Sequence, residues 1–361
     1  MPFSGDKIYN PYTDIDSKGW KKANFHMHTH QWGGISNGRK NSEMAVDTMY
    51  HYLGYDIIGI SDYQYINYYN KNQPGFVPAY EHGYMFPKNH QLVIGAKKVR
   101  WLDYVFPQTL NNKQYIINTL KSDSSCIVEI AHPQWRSAYS SNDFKYLSGY
   151  DCIGVYDRLF YSRDVWDSAL SSGHAVYATS EDDNHDLTDP TLVGMNSMLI
   201  NLRKFSTDSI MQAIRKGRTI ACETYSHGWN DFTEKRKYAF DLPVINSVTF
   251  ENNQLSIHSN TIMSYLRFIG QGGVIKKTVN DTKDATYNFK PEDTYIRTDI
   301  HFPDSTVYHL NPAFRYNGDT IEKPKAVLDE TGTTIHRIFF YISLFVIFFI
   351  LYISMKMNKY V

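Results

Sequence analysis

Hydrophobic and polar positions follow two different patterns along the chain. Up to about residue 225, short apolar runs that predict buried strands alternate with stretches whose apolar residues recur at helical spacing. The predicted strands lie at 56–62, 90–95, 126–133, 150–156 and 175–180, and the predicted helices at 42–50, 111–120, 165–170 and 207–216. Strands that alternate with helices in this way are typical of parallel βαβ units. We therefore predict an α/β barrel for this part of the chain.

From about Pro243 the pattern changes to short strand-like pieces that are broken by Gly, Asn and Asp. This pattern predicts a small β-sandwich module rather than further βαβ units. The expected organisation is an N-terminal extension at 1–19, the barrel at 20–240, a small β-rich module at 241–318, a linker at 319–336, a transmembrane helix at 337–355 and a tail at 356–361.

The last apolar run, residues 338–354, contains no charged residue, Pro or Gly. As a helix it is about 26 Å long, which suffices for a bilayer hydrocarbon core, so we predict a single-pass C-terminal anchor that contacts the lipid bilayer. The alternative is a buried core helix. The N-terminus has neither a basic region nor an apolar region of the signal-peptide kind. The simplest expectation is a cytoplasmic barrel on a tail anchor, whereas an upstream signal would place the barrel outside.

Composition narrows the classes of function. Lys plus Arg is 37 and Asp plus Glu is 37, so the net charge is zero and no basic excess supports general nucleic-acid binding. The three cysteines are widely spaced, and Cys126 and Cys152 lie in apolar runs. This spacing fits buried free thiols better than a disulfide framework or a zinc finger.

Histidines and carboxylates fall repeatedly at the ends of predicted strands. His26, His28 and His30 alternate along a strand-like stretch, so they would share one face. The complete set of strand-end groups comprises His26, His28, Asp62, Glu81, His90, His132, Asp183 and His185. In an α/β barrel the active site lies at this end of the strands. Histidines with a few carboxylates suit Zn²⁺, Mn²⁺ or Fe, and Glu81 would be able to bridge two ions.

With these motifs in place, residues 20–225 resemble the PHP (polymerase and histidinol phosphatase) family of metal-dependent phosphoesterases. The matching segments are NFHMHT at 24–29, GYDIIGISD at 54–62, Glu81 with His90, AHP at 131–133 and SEDDNH at 180–185. The resemblance implies a distorted (β/α)7 barrel that holds up to three metal ions. It also implies one ion held by His26, His28, Glu81 and Asp183, and a second held by Glu81, His90 and His132.

The chain departs from the family pattern at the third metal. The residue after Asp62 is Tyr63 rather than histidine, and Trp32-Gly33-Gly34 replaces the usual Ser-Asp-Gly. Of the third set of ligands only His185 remains, with His30 either a substitute or simply the next residue on a polar face. Our hypothesis is therefore a site with two metal ions per chain.

This site suits hydrolysis of a phosphomonoester or phosphodiester by a metal-activated water. His185, if not a metal ligand, would orient the substrate or act as the general acid, and Asp62 would fix a liganding histidine or bind metal directly. Arg136 and Arg158 follow strand ends and are candidates for gripping the substrate phosphate, although surface salt bridges are the common alternative. The competing interpretation is a degenerate barrel that binds metal or a phosphorylated ligand without turnover.

Overall fold

The structure, a computed structural model, describes residues 1–34, 38, 40–83, 88–104, 107–157, 160–224, 230–321 and 323–357. Its strands are β1 Lys7–Tyr9, β2 Trp20–Asn24, β3 Ile57–Ile58, β4 Ala79–His82, β5 Gln91–Ile94, β6 Ile127–Ile130, β7 Cys152–Asp157, β8 Phe160–Tyr161, β9 Tyr177–Glu181, β10 Asn196–Asn201, β11 Thr219–Glu223, β12 Ile245–Glu251, β13 Gln254–Gly270, β14 Val274–Asn288, β15 Tyr295–His301 and β16 Val307–Tyr316. They form two sheets, which curl around a common interior.

The helices are α1 Glu43–Tyr52, α2 Leu110–Leu120, α3 Arg163–Ser171, α4 Thr207–Arg215, α5 Phe232–Tyr238 and α6 Glu330–Met357. Three of the first four begin at a hydroxyl side chain that accepts a hydrogen bond from the first turn: Ser42, Thr109 and Ser206. Such N-caps satisfy backbone N–H groups that have no partner within the helix, which explains why these helices begin where they do. All four helices predicted before residue 225 are present.

The strand directions differ from those of a regular (β/α)7 barrel. Parallel pairing joins β2 to β3, β6 to β7, and β7 to β9. By contrast, β4, β5 and β6 pair antiparallel, and β10 is antiparallel to both β2 and β11. Only eight residues separate β4 from β5, too few for the crossover that a parallel pair requires. The fold is therefore a mixed α/β structure with curled sheets, and the expected alternation holds for only part of it.

The C-terminal strands also differ from the predicted β-sandwich. The order β12-β13-β15-β16-β11-β10-β2-β3 makes them a continuation of the sheet that contains β2, β10 and β11. The pairing of β11 with β16 runs from Glu223 opposite Val307 to Ile220 opposite Leu310. Such pairing between distant segments leaves no signal in the local hydrophobic pattern. The module is thus bonded to the α/β part edge to edge.

The two sheets meet at the end where β2 and β9 stop. Two parallel bridges connect the strand ends: Met27 with Asn184 joins the segments that follow β2 and β9, and Tyr63 with Glu81 joins the segment that follows β3 to β4. Below them lies a core of fully buried aliphatic and aromatic side chains that includes Phe25, Val128 and Trp166. The bridges fix the strand-end residues relative to one another, and this is where the histidines and carboxylates gather.

Helix α6 begins at Glu330, eight residues before the apolar run. The preceding segment is held along the α/β part: Lys323 lies 3.3 Å from the Asp151 carboxylate, and the Ala326 N–H donates to Ser148 Oγ at 2.7 Å. By length and composition α6 could cross a membrane, and only 6% of its most apolar stretch is buried within the protein. The segment predicted as a linker is thus packed along the protein surface, and its last residues belong to the helix.

Candidate metal centre

His26 and His28 follow β2 in extended backbone that is bonded on both sides. The Ser61 N–H donates to Met27 O at 3.0 Å, and the His28 N–H donates to Asn184 O at 2.9 Å. Side chains alternate along extended backbone, so Phe25 and Met27 enter the hydrophobic core while both histidines point to the opposite side. The same backbone thus anchors one face in the core and aims two imidazoles at one point.

Glu81 on β4 lies at the centre of the cluster with one carboxylate oxygen toward each pair of histidines. Its Oε2 is 3.3 Å from His26 Nε2 and 3.1 Å from His28 Nε2. Its Oε1 is 2.5 Å from His90 Nδ1 and 3.1 Å from His132 Nε2. A carboxylate that divides its oxygens between two sets of nitrogen ligands has the geometry of a bridge between two metal positions.

Asp183 completes the first set of ligands. Its Oδ1 lies 3.4 Å from Nε2 of both His26 and His28, and the ligand atoms of these three residues and Glu81 are all within 4.8 Å of one another. Glu81, His90 and His132 form a second group by the same measure. Asp183 and His132 have φ angles of 46° and 30°. Positive φ is costly for residues with a Cβ and is concentrated at functional sites, where the surroundings enforce it.

Gly83 makes room for His90 beside β4. Its φ is 109°, and a Cβ at this position would lie 2.6 Å from His90 Cδ2. Because no side chain other than hydrogen fits that gap, glycine allows the imidazole to approach the Glu81 carboxylate.

Many buried polar atoms of the two groups are placed to bind metal ions rather than to hydrogen-bond with one another. Within the described residues, neither ring nitrogen of His26 or His28 has a hydrogen-bond partner, although all four atoms are buried. His90 Nε2, His132 Nδ1, Glu81 Oε2 and Asp183 Oδ2 share this property. Buried polar atoms without partners are rare because each costs about 1–3 kcal/mol. In the first group His26 Nε2, His28 Nε2 and Glu81 Oε2 both converge and have no hydrogen-bond partner, as divalent Zn, Mn or Fe sites require.

The charges within the cluster are strongly coupled. Burial lowers the pKa of His26, but the Glu81 and Asp183 carboxylates raise it more, to about 10. For Glu81 burial acts in the opposite direction, yet the surrounding histidines, His90 first, hold its pKa well below the usual range. Burial lowers the pKa of His90 to about 4. The carboxylates are therefore ionised and His90 is neutral at pH 7, as metal binding needs, whereas His26 carries a proton that a metal ion would have to displace.

His185 lies at the outer edge of the cluster. Its ring stacks on that of His28 with centroids 4.1 Å apart, and its Nε2 is 3.0 Å from Asp183 Oδ1. With 19% of its side chain exposed, it faces the solvent side, whereas His26 and His28 are fully buried. This place is compatible with either predicted role, a metal ligand or a group that contacts the substrate.

Asp62 lies outside both metal groups. Its Oδ1 accepts from the Thr29 N–H at 2.6 Å, and its Oδ2 accepts from Thr29 Oγ1 at 2.8 Å and Asn67 Nδ2 at 3.0 Å. These bonds hold the segment that follows His28. The structure thus gives Asp62 a positioning contact through Thr29, and its predicted catalytic role stays a prediction.

The remaining predicted residues are not brought into the two groups. His30 is exposed, and its N–H donates to Asn41 O at 2.8 Å. Arg136 is exposed in a short 3-10 turn just beyond His132, with φ 52°. Arg158 lies outside the described residues. The substrate-binding role of both arginines and the third-site role of His30 stay predictions.

Three side chains at the opening of the cluster were not predicted to bind substrate. The Tyr63 ring stacks over His28 at 4.7 Å and Trp135 meets His132 edge-on at 5.0 Å. The Lys88 ammonium lies 4.7 Å above the Trp135 ring and 3.3 Å from the Tyr63 hydroxyl. Lys88 is partly exposed and two residues before His90. Its proximity to that histidine was the only sequence signal, and it is a weak one.

Comparisons with known proteins are sparse. No family model matches the chain, and no curated protein matches it. The crystal structure of a two-domain protein from Bacteroides vulgatus that contains a predicted PHP-like metal-dependent phosphoesterase matches with 15% identity and a TM-score of 0.41, over 87% of this chain and 93% of that one. The chain resembles the PHP family in its motifs. A TM-score this low supports no argument about fold or function, so both are argued from the residues of this chain.

Proposed function

We propose that this protein is a membrane-anchored metallophosphoesterase that hydrolyses a phosphomonoester or phosphodiester at a site with two metal ions. The observation that carries the proposal is Glu81, whose two oxygens each face a separate pair of buried histidines. His26, His28 and Asp183 would hold one ion with Glu81, and His90 and His132 would hold the other. When bound, such a pair of ions supplies an activated water and polarises phosphoryl oxygens.

The protein's own residues would bind and orient the ester. The Lys88 ammonium, held by two aromatic rings beside the cluster, would pair with a phosphate oxygen. His185 is within reach of the same opening and would donate a proton to the leaving oxygen. In this arrangement Tyr63 covers His28 and His185 on the side where a further ligand would approach. That position of Tyr63 supports two ions rather than three.

The anchor would be α6, whose exposed apolar run fits the bilayer hydrocarbon core. The interpretation as a core helix of a soluble protein fits less well, because a core helix is mostly buried and this one is mostly exposed.

The test is hydrolysis of a soluble aryl phosphomonoester and of an aryl phosphodiester by the full-length protein in detergent with added Mn²⁺. We expect turnover by the wild type, a metal content near two per chain, and loss of both in His26→Ala and Asp183→Ala. His258→Ala is the matched control, because His258 is exposed on β13. Metal binding without turnover in the wild type would favour the degenerate barrel, and equal rates in all variants would exclude the enzyme.

A further inference from the structure

The first apolar turn of α6 packs against the α/β part of the protein. Phe340, the third residue of the apolar run 338–354, packs edge-on against Tyr104 with ring centroids 6.0 Å apart. Both side chains are buried, at 4% and 3% exposure. If α6 spans a bilayer, its first apolar turn marks the boundary between hydrocarbon and headgroups. Tyr104 therefore lies at the level of that boundary.

The segment that carries Tyr104 is fixed beside the metal ligands. Leu102 O is 2.9 Å from Nε2 of His82, the residue that follows Glu81 on β4. The chain before α6 also runs toward this end. Lys323 pairs with Asp151 at the start of β7, and six residues later the Asp329 N–H donates to Asn111 Oδ1 in the first turn of α2 at 3.3 Å. Because α2 leads into the start of β6 and His132 follows the end of β6, the first turn of α2 lies toward the metal-binding end. The protein thus meets the helix at the metal-binding end of the strands.

Exposed aromatic side chains continue from this contact to the opening of the site. Trp101, three residues before Tyr104, is 58% exposed and meets the 49% exposed Trp32 edge-on at 6.1 Å. Tyr65, 41% exposed, packs on the other side of Trp32 at 6.5 Å. Trp32 Nε1 in turn donates to Tyr63 O at 2.8 Å, and Tyr63 stacks on His28. We call Trp32, Tyr65 and Trp101 the aromatic rim.

From this continuity we infer that the metal centre opens toward the bilayer surface and that its substrate is a phosphoester in a membrane lipid headgroup. Trp and Tyr favour the headgroup level because they combine a large apolar ring with one polar group, so the bilayer is the occupant that suits the rim. The Lys88 ammonium adds the charge that an anionic headgroup requires. This inference rests on the proposed function and adds the class of substrate.

A spin label tests the placement of the rim without requiring activity. Full-length protein is reconstituted into phosphatidylcholine nanodiscs, with a nitroxide at Trp101→Cys; the native Cys126, Cys152 and Cys222 are buried. The matched control is Phe240→Cys, an exposed aromatic beside Gly54, just before β3. We expect collisions with oxygen to dominate at 101 and collisions with a water-soluble nickel chelate to dominate at 240. Equal access of both labels to the nickel chelate would overturn the inference.

Hydrolysis tests the substrate class. Nanodiscs that contain phosphatidic acid or phosphatidylglycerol present a lipid phosphomonoester or phosphodiester, and a soluble aryl phosphate serves as the reference substrate. For the double variant Trp101→Ser, Tyr65→Ser we expect a loss of about tenfold or more on the lipid, since interfacial binding scales with buried apolar area. Its rate on the aryl phosphate should equal that of the wild type, and Phe240→Ser should be unaffected on both.

The outcomes separate the inference from the proposed function. If the wild type hydrolyses the aryl phosphate but neither lipid, the proposed function stands and the inference is wrong. An equal loss on soluble and lipid substrates in the rim variant would also overturn it, because the rim would then act on the site itself. If the wild type hydrolyses nothing, both fail together.

Discussion

Two buried clusters of histidines and carboxylates in this protein are built from the same residue types but differ in how their polar atoms are paired. The first is the metal centre. The second, which we call the junction network, connects α3 with the C-terminal strands and consists of Asp167, Glu223, Arg297, Asp299 and His309. In the network, His309 Nδ1 lies 2.6 Å from Asp299 Oδ1 and its Nε2 lies 2.6 Å from Glu223 Oε1. In the part of the chain that the structure describes, His26 and His28 have no such bonds from any ring nitrogen.

Each guanidinium nitrogen of Arg297 is likewise hydrogen-bonded within the network. Its Nε and Nη2 donate to the two oxygens of Asp167 at 2.6 and 2.8 Å, and its Nη1 donates to Asp299 at 2.7 Å. The paired bonds to one carboxylate have the fork geometry that makes such ion pairs strong. A closed network of this kind holds two parts of a fold together. The nitrogens of His26 and His28 instead converge on two carboxylates without hydrogen bonds among the described residues, which suits them to binding a cation, and this difference separates a candidate binding site from a structural tie.

The largest effect is expected from Glu81→Gln, which tests whether the first cluster binds metal ions and the junction network does not. The amide keeps the shape of the side chain but loses the charge and one acceptor oxygen, so it should no longer bridge the two sets of ligands. Because changes to groups around metal ligands already cost about 10–100-fold, we expect activity to fall by more than roughly 100-fold. Metal per chain, measured by elemental analysis, should fall as well.

The control for this variant is Glu292→Gln, an exposed glutamate just before β15. Its metal content and activity should match the wild type. Undiminished metal stoichiometry in Glu81→Gln would contradict the bridging role, even if activity were lost.

In the junction network the corresponding change is Arg297→Met, which leaves the buried carboxylate of Asp167 without its cation and Asp299 with His309 alone. Removing one partner of a buried pair typically costs about 3–5 kcal/mol of the free energy of unfolding. We expect a loss of that size in urea unfolding of the detergent-solubilised protein, with metal per folded chain unchanged. Arg267→Met, at a partly exposed position on β13, should cost less than about 1 kcal/mol. Metal loss in Arg297→Met would mean that the two clusters are coupled.

The sequence indicated the residues of the candidate metal centre far better than those of the junction network. His26, His28, His132 and Asp183 stand at or just beyond the ends of predicted strands, whereas no strand was predicted beside Glu81. In an α/β barrel such strand ends meet at one face, and the resemblance to the PHP family implied how these residues divide into two sets of ligands. The network offers no comparable signal. Arg297 and Asp299 share a strand face, but their partners Asp167, Glu223 and His309 come from three other elements whose pairing depends on the register of β11, β15 and β16.

The dependence on pairing between distant strands also explains why the sheets differ from the predicted barrel and sandwich. Strand-like pieces were recognisable after Pro243, but the pairing of β16 with β11, which makes one sheet instead of a sandwich, is decided by residues some 90 positions apart, such as Leu310 and Ile220. The antiparallel pairing of β4 with β5 was likewise hidden, since an apolar run does not record its direction. The placement of Lys88 over Trp135 depends on two loops, and no periodic pattern in the sequence predicts it.

The smallest expected effect is a pH dependence of the free energy of unfolding that arises from the junction network. Burial lowers the pKa of His309, but Asp299 and Glu223 raise it more, from its usual 6.5 to about 9. A histidine whose pKa is higher in the folded state stabilises that state fully below pH 6.5, and the contribution disappears as the pH rises through 9. A shift of this size is worth about 3 kcal/mol. We expect the free energy of unfolding in urea to fall by that order between pH 6.5 and 9.

His309→Gln should flatten this slope, whereas His258→Gln, which removes an exposed histidine next to Asp284, should leave it unchanged. An equally steep slope in His309→Gln would assign the titration to another group and remove the charged histidine from the network.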